Sequence, residues 1–414
     1  VLKLKNLHIK RFRNVKPGTR LDFADGFNVL LGKNGAGKTT LLRLLEAISV
    51  SSFAPFKDEA FDLDYEWAGD EGRISVHVEN VRREQLGEAT PALRLLDRAP
   101  ITSEHASQLR VDIAALDADG YFETMIETTN GRTTVARQGQ RAELSGAAVF
   151  PTGNDFFFAL ASGLATTVDS AVLMLSEHTA RGDAFRFDES LGYYTHIKTR
   201  QFVDLSPMPP TEFGAPGWVS VEEDTKTPRH GAAMSFDASD VPFLAMFIRA
   251  LGSIRAAELQ LSIASKDTKG VSLYGDLRVW LTRLDGSGYS DDKLSYGQKR
   301  LFSFLYYLAA NRHTVIADEL VNGLHHDWID LCVNEIGARQ AFLTSQNPLL
   351  MDHLSFETNE DVRRAFVLCQ LAYEGDSEVL IWRNMTPDEA GAVFEAGEVG
   401  IEHLSTILRN EGLW

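Results

Sequence analysis

Residues 32–39 read GKNGAGKT and fit the pattern GxxxxGK[ST] without a mismatch. The apolar run Phe27-Asn28-Val29-Leu30-Leu31 precedes them and Thr40-Leu41-Leu42-Arg43-Leu44-Leu45-Glu46 follows. That order predicts a strand, a tight loop and a helix. Gly32, Gly35 and Gly37 let backbone N–H groups wrap an anion where a Cβ would clash. The helix start adds its partial positive charge. Gly32, Lys33, Asn34, Gly35, Ala36, Gly37, Lys38, Thr39 and Thr40 are therefore the candidate phosphate-binding residues. In such a loop Lys38 would reach the outer phosphates, and the Thr39 hydroxyl would ligate Mg²⁺.

A phosphate loop needs an acidic partner on a neighbouring strand. Residues 314–319 read TVIADE, an apolar run ending in Asp318 and Glu319. Two carboxylates at the end of a buried strand are costly unless a cation neutralises them. Mg²⁺ near Asp318 would do so, and Glu319 would then orient or deprotonate an attacking water. Residues 294–300 read LSYGQKR and lead into the apolar run Leu301, Phe302, Phe304, Leu305, Tyr306 and Leu308. Ser295 can cap that helix, and Gly297 allows close approach to the backbone. Taken alone, this stretch equally describes a capped core helix.

LSxGQ placed 23 residues before Asp318 is the arrangement of the ABC-type ATPases, and the chain resembles an ABC ATPase head. Its start, LHIKRFRNV, is similar to the opening strand of the RecF, SMC and OLD-type (overcoming lysogenization defect) branch. LVNGLHHDW after Glu319 is similar to the ENGLHP-like segment of OLD-type and related bacterial defence ATPases. The motif-bearing resemblance covers roughly residues 1–50 and 270–350. It implies an α/β P-loop head with a mixed sheet, an antiparallel β subdomain and a helical signature lobe. It also implies ATP and Mg²⁺ as ligands, with Arg13 of the opening strand among the nucleotide contacts and Asp318 and Thr39 on the metal. Asn322 and Gly323 would form the D-loop. Ser295, Gly297 and Gln298 would meet the nucleotide held by a second copy, so that ATP joins a homodimer or larger assembly. Lys299 and Arg300 either link the signature helix to nearby acids or serve as surface cations.

Residues 341–348 read AFLTSQNP, a buried-strand pattern ending in polar residues. The resemblance puts Gln346 where ABC ATPases carry a switch histidine at the γ-phosphate. Glutamine can donate a hydrogen bond to phosphate but cannot become cationic. Glu319 and Gln346 are thus the candidate catalytic pair, and the exchange predicts slow hydrolysis and a long-lived ATP-bound dimer.

At 414 residues the chain suggests two to three lobes. The expected division is residues 1–150, the first part of the ATPase core with an antiparallel β lobe; 151–293, a helical or irregular insert; and 294–414, the signature, acidic pair, D-loop, switch strand and an α/β tail. Net charge is −17, yet the first 50 residues hold ten cations against three acids, leaving −24 for the remainder. The acidic body argues against wrapping long DNA, while the basic start leaves nucleic acid open as a partner. No apolar stretch reaches ~18 residues, so no membrane span is expected. Cys332 and Cys369 lack metal-ligand spacing, and the start lacks a signal-peptide pattern, which together point to reduced thiols in the cytoplasm.

Residues 73–81 and 110–135 alternate like antiparallel strands with turns at Asp119-Gly120 and Asn130-Gly131. Apolar residues between Asp240 and Lys266 recur with helical spacing and predict one long helix, with a strand or hairpin from Gly270 to Leu284. Residues 206–217 and 222–231 read as loops. Gln85, Gln108, Gln138, Gln140 and Gln201 all compete as a Q-loop glutamine, and the spacing of Arg98 and His105 is that of chance. The tail, 13 acids and four cations over residues 351–414, holds the capping box Thr386-Pro387-Asp388-Glu389 and ends a final helix at Gly412. It leaves no room for the nuclease domain of OLD-type enzymes, so an effector output is expected from another polypeptide. Two functions follow from these readings. One is an ATP-dimerised sensor or regulator of a partner effector in a bacterial anti-phage or toxin–antitoxin module. The alternative is a RecF-like DNA repair ATPase.

Overall fold

The computed structural model describes residues 2–49, 53–56, 58–69, 72–82, 107–117, 120–129, 132–137, 140–144, 186–187, 191–199, 202–203, 234–266, 272–311, 313–399 and 403–413. Arg98, His105, Gln85, Gln138, Gln201, Asp119, Asn130, Gly131 and the loops 206–217 and 222–231 lie outside them. The chain divides into two compact units, Val1–Ala180 with Phe356–Trp414, and Arg181–Ser355.

The first unit opens with β1 (Lys3–Phe12), β2 (Thr19–Asp22), β3 (Phe27–Leu31) and α1 (Lys38–Ser49). Six strands follow: β4 (Phe61–Gly69), β5 (Gly72–Arg82), β6 (Ser107–Asp117), β7 (Gly120–Thr129), β8 (Arg132–Arg137) and β9 (Gln140–Leu144). Except for β3 they make one sheet in the order β2-β1-β4-β5-β6-β7-β8-β9, with each pair antiparallel, as the alternation predicts. Gln108 lies in β6 and Gln140 in β9. Period-two burial sets the faces: Phe61, Leu63, Tyr65 and Trp67 of β4 are buried, while Asp62, Asp64 and Glu66 point the other way. On that polar face Lys10 Nζ sits 2.9 Å from Asp64 and 3.6 Å from Asp62. Lys5 pairs with Asp25 at 2.5 Å. Lys5 and Lys10 of the basic start are therefore matched by acids of their own unit.

The second unit holds α2 (Gly192–Thr199), β10 (Phe202–Val203), β11 (Met234–Phe236), α3 (Pro242–Leu251), β12 (Ile254–Lys266), β13 (Ser272–Arg283) and β14 (Gly288–Ser290). Then come α4 (Tyr296–Ala310), β15 (Thr314–Ala317), α5 (His326–Ile336) and β16 (Gln340–Thr344). The single long helix expected over 240–266 is corrected: it ends at Leu251. Gly252 takes the left-handed conformation at φ 63° and its N–H closes on the Ile248 carbonyl, the αL stop that glycine favours. Beyond it, β12 pairs antiparallel with β13 and buries Ala257, Leu259 and Leu261. The strand or hairpin expected over 270–284 is the single strand β13, which turns back after Arg283 to pair with β14. Within the expected helical or irregular insert, residues 254–266, 272–283 and 288–290 are thus β-strands.

Helix α4 is buried almost all round, as a helix apolar on every face must be. Phe302 meets Phe243 at 5.7 Å and Phe247 at 5.4 Å between ring centroids, and Phe304 meets Phe187 at 5.2 Å. Edge-to-face contacts of this kind add to burial. Helices α2, α3 and α5 pack around it, forming the helical signature lobe. β15 and β16 are parallel, with Val315 opposite Ala341.

The chain then returns to the first unit with α6 (Asn359–Ala365), β17 (Phe366–Glu374), β18 (Ser377–Asn384), α7 (Pro387–Val399) and α8 (Leu404–Asn410). β17 lies parallel to β3, with Val367 opposite Leu30, and antiparallel to β18, so this sheet is mixed. Asn384 ties its end to β2: it donates to the Asp22 carbonyl and accepts from the Asp22 N–H, each at 2.8 Å. The capping box at Thr386 and Glu389 forms as expected. Cys332 and Cys369 are free and buried, and burial pushes the Cys369 thiol up to about 12.

Candidate nucleotide-binding and hydrolysis site

In the first unit, β3 delivers the chain into the phosphate loop and α1 begins at Lys38. The turn before β3 is set by buried Asn28, whose amide donates to the carbonyls of Ala24 and Gly26 and accepts from the Ala24 N–H. The three glycines are required for different reasons. A Cβ on Gly32 would collide with the carbonyl oxygen of Cys369, on the neighbouring strand β17. A Cβ on Gly37 would sit 2.7 Å from Leu380 Cδ1 and 3.2 Å from Trp382 Cζ2. Gly35, at φ 84°, faces open space, so its need is conformational.

Lys38 folds back over the loop, its Nζ donating to the Gly32 carbonyl at 2.6 Å and the Lys33 carbonyl at 3.2 Å. The ammonium is thereby held at the centre of the cradle by neutral acceptors that a phosphate would outcompete. The loop has a support that its own motif does not announce: Trp382 Nε1–H donates to the Ala36 carbonyl at 3.2 Å. Leu380, on the same strand, exchanges backbone hydrogen bonds with Asn14 and Lys16. Arg13 just before them has φ 46° and clamps Glu59 with two bonds of 2.6 Å. Glu59 holds its guanidinium above its ordinary pKa. Arg13 is thus committed to an ion pair within its unit.

The second unit brings the acidic pair, signature, D-loop and switch residue together. Asp318 follows β15, and its two oxygens have separate partners. Thr344 Oγ1–H donates to Oδ1 at 2.5 Å, and Arg186 Nη1 donates to Oδ2 at 2.6 Å. Arg186 is held there because Phe187 next to it bridges to Ala317, exchanging backbone bonds with Ile316 and Asp318. No sequence pattern marks Arg186.

Glu319 is buried and sits at φ 52°, a conformation uncommon for a residue with a Cβ and concentrated at functional sites. Its N–H donates to Thr344 Oγ1 at 2.9 Å, and its carboxylate accepts the Gln346 backbone N–H at 2.9 Å. The link from Gln346 to Glu319 is therefore made by backbone, while the Gln346 side chain is on an exposed residue. Arg300, fully buried, donates to the carbonyls of Glu319 and Leu320 and lies 4.9 Å from the Phe187 ring centre. It supports the acidic turn through carbonyls and, being fully buried, is not a surface cation. Lys299 reaches the Asp292 carbonyl at 3.4 Å.

Ser295 caps α4 with Gln298 in a reciprocal box: Gln298 N–H to Ser295 Oγ at 3.3 Å, Ser295 N–H to Gln298 Oε1 at 2.9 Å. Gly297 and Gly323 stand against each other and against Tyr296. Asn322 N–H bonds the Glu319 carbonyl at 3.2 Å, closing the turn between the acid and the D-loop.

These residues suit the ligands that the sequence calls for. The cradle has an open side at Gly35 and a lysine held by weak acceptors, which fits a phosphate chain. Asp318 is a hard oxygen donor with a partly exposed side chain, the ligand type that suits Mg²⁺.

The AAA ATPase domain family matches residues 2–83, which include the phosphate loop and the opening strand. No curated protein matches the chain by sequence. Among solved structures, it is similar to the Smc head domain with an extended coiled coil, bound to the C-terminal domain of ScpA, from Pyrococcus furiosus. There the identity is 10% and the TM-score 0.42, over 96% of this chain and 100% of that one. The SMC head domain from Thermotoga maritima matches at 10% identity and TM-score 0.37, over 91% and 98%. The recombination mediator RecF, bound to an ATP analogue, matches at 12% identity and TM-score 0.32, over 93% and 98%. Among the described residues, no helix is long and apolar enough to cross a membrane.

Proposed function

We propose that this chain, an ABC-type P-loop ATPase resembling the RecF and SMC branch in its opening strand, is a slow ATP-operated switch that dimerises through nucleotide and regulates a partner effector. The observation that carries the reading is the Glu319–Gln346 contact. The carboxylate that would activate water is held by a backbone N–H, and the residue supplying that N–H has a neutral side chain. A histidine there could share a proton and carry charge toward a phosphate; glutamine offers only a neutral amide donor. Ground-state binding of the triphosphate is retained, while stabilisation of charge developing in the transition state is weakened. The bound state then outlives the encounter that formed it, which suits a switch.

In this reading Lys38 leaves the Gly32 and Lys33 carbonyls for the phosphates. Thr39 and Asp318 are the Mg²⁺ ligands that the resemblance implies, and the ion would neutralise phosphate charge. Ser295 and the Gly297 N–H donate to the nucleotide of a second copy. The OLD-like run Leu320 to Trp328 supports a place in a bacterial anti-phage or toxin–antitoxin module. A RecF-like DNA-binding role is the second reading, motivated by the +7 charge of the first 50 residues. The pairing of Lys5, Lys10 and Arg13 with Asp25, Asp64 and Glu59 weighs against it.

The deciding experiment measures ATP turnover and sedimentation of the parent chain and of Gln346→His, together with capture of partners from the native operon. A slow parent that dimerises with ATP, and a faster histidine variant, are expected. An unchanged rate in Gln346→His overturns the switch argument. Salt-sensitive, ATP-dependent duplex binding without a co-purifying protein favours the RecF-like reading.

A further inference from the structure

We propose that His326, Asp330 and His353 form a zinc-type divalent metal site in the second unit, distinct from the Mg²⁺ position at Asp318. His326 and Asp330 are one helical turn apart at the start of α5, so they share a face. His353 ends the 3-10 turn Pro348–His353, which Asn347 caps just after Gln346. The donor atoms of the three residues lie within 4.8 Å of one another. His353 Nε2 is 3.1 Å from Asp330 Oδ1, and the rings of His326 and His353 are 6.0 Å apart between centroids.

Two further observations point to a cation. His353 Nε2 is shielded from water, yet despite the nearby carboxylate it makes no hydrogen bond of acceptable geometry. Its separation from Asp330 Oδ1 is also close to what a tetrahedral metal sets: Zn–N and Zn–O bonds of ~2.0–2.2 Å place ligand atoms ~3.3–3.6 Å apart. Two ligands therefore stand almost in position, and exposed His326 completes the set by side-chain rotation. Two imidazoles and one carboxylate select Zn²⁺ over Mg²⁺, which prefers oxygen ligands and keeps its waters. A fourth position remains for water. The cluster of Asp62, Asp64 and His77 in the first unit differs, because Lys10 Nζ already lies 2.9 Å from Asp64 and 3.5 Å from His77.

The placement gives the site a consequence. One ligand pair is on the helix that follows Asn322 and Gly323, and the third is on the turn that follows Gln346. A bound metal would clamp the D-loop helix to the switch turn on either side of the Glu319–Gln346 contact. This inference does not depend on the ATP-switch reading.

The test uses the full chain, purified without a histidine tag and stripped with chelator, titrated with Zn²⁺ by calorimetry and with Co²⁺ by visible absorption. One equivalent should bind, with Co²⁺ bands of tetrahedral intensity, and excess Mg²⁺ should not displace it. His326→Ala and His353→Ala should each weaken Zn²⁺ binding at least ~10-fold. His326 is exposed, so its variant decides the matter should the His353 variant fail to fold. Absence of stoichiometric Zn²⁺ binding by the parent, or affinity unchanged in His326→Ala, overturns the site.

Discussion

The carbonyl oxygen of Gly323 lies 2.6 Å from where a Cβ on Gly297 would stand, so the signature helix and the D-loop meet backbone to backbone. Close approach at Gly297 is what the sequence called for. The group that approaches within this chain is the D-loop itself, so the two motifs are packed directly against each other.

Gly297→Ala should expose that coupling. Inside a helix the exchange ordinarily stabilises by up to ~1 kcal/mol, but here the new methyl overpacks a carbonyl at a cost of ~1–3 kcal/mol. The melting temperature should stay level or fall, and ATP-dependent dimerisation should be lost. Thermal melts and sedimentation with ATP check both, and a raised melting temperature with intact dimerisation contradicts the contact.

Glu319→Gln keeps an oxygen to accept the Gln346 N–H and a similar shape at φ 52°. It should therefore fold and bind ATP while turnover falls ~10²–10⁴-fold, the range for loss of a general base. Single-turnover hydrolysis alongside nucleotide binding measures the split. Turnover equal to the parent's removes Glu319 from the chemistry.

Trp382→Phe deletes the indole N–H that holds the Ala36 carbonyl while keeping most of the packing against Gly37. One such bond contributes ~0.5–1.5 kcal/mol. ATP affinity should weaken ~2- to 12-fold with the kcat of bound enzyme little changed, as a fluorescent-nucleotide titration would show.

Glu389 is pulled down to about 2, first by its hydrogen bonds with Arg383 and further by the Thr386 N–H. A carboxylate depressed on folding stabilises above its ordinary pKa of 4.5, and that contribution is lost as pH falls through about 2. The melting-temperature gap between parent and Glu389→Gln should be constant from neutral pH to ~5. Below about 4.5 it should narrow, closing near 2. A gap that widens in acid contradicts the ion pair.

The phosphate loop, the LSYGQKR helix start, the acids after TVIA and the tail capping box were all legible in the order of residues. Each depends on residue types at fixed short spacing: glycines that bend, a hydroxyl that caps, carboxylates that follow a buried strand. Antiparallel pairing of the strands at 72–82, 107–117, 120–129 and 132–137 was legible for the same reason, since side chains alternate with the pleat. The sequence does not separate the helix over 242–251 from the strand over 254–266, because apolar residues of a helix and of a half-buried strand can be fitted by one pattern and only Gly252 marks the stop between them. Tertiary structure alone decided which distant groups complete each motif. The Cys369 carbonyl imposes Gly32, Trp382 holds Ala36, Arg186 sits on Asp318, Arg300 carries the Glu319 turn, and Gln346 reaches Glu319 by its backbone. No local pattern encodes these contacts, because a hydrogen bond or an excluded Cβ depends on separation in space, and only folding brings together residues that lie tens to hundreds of positions apart.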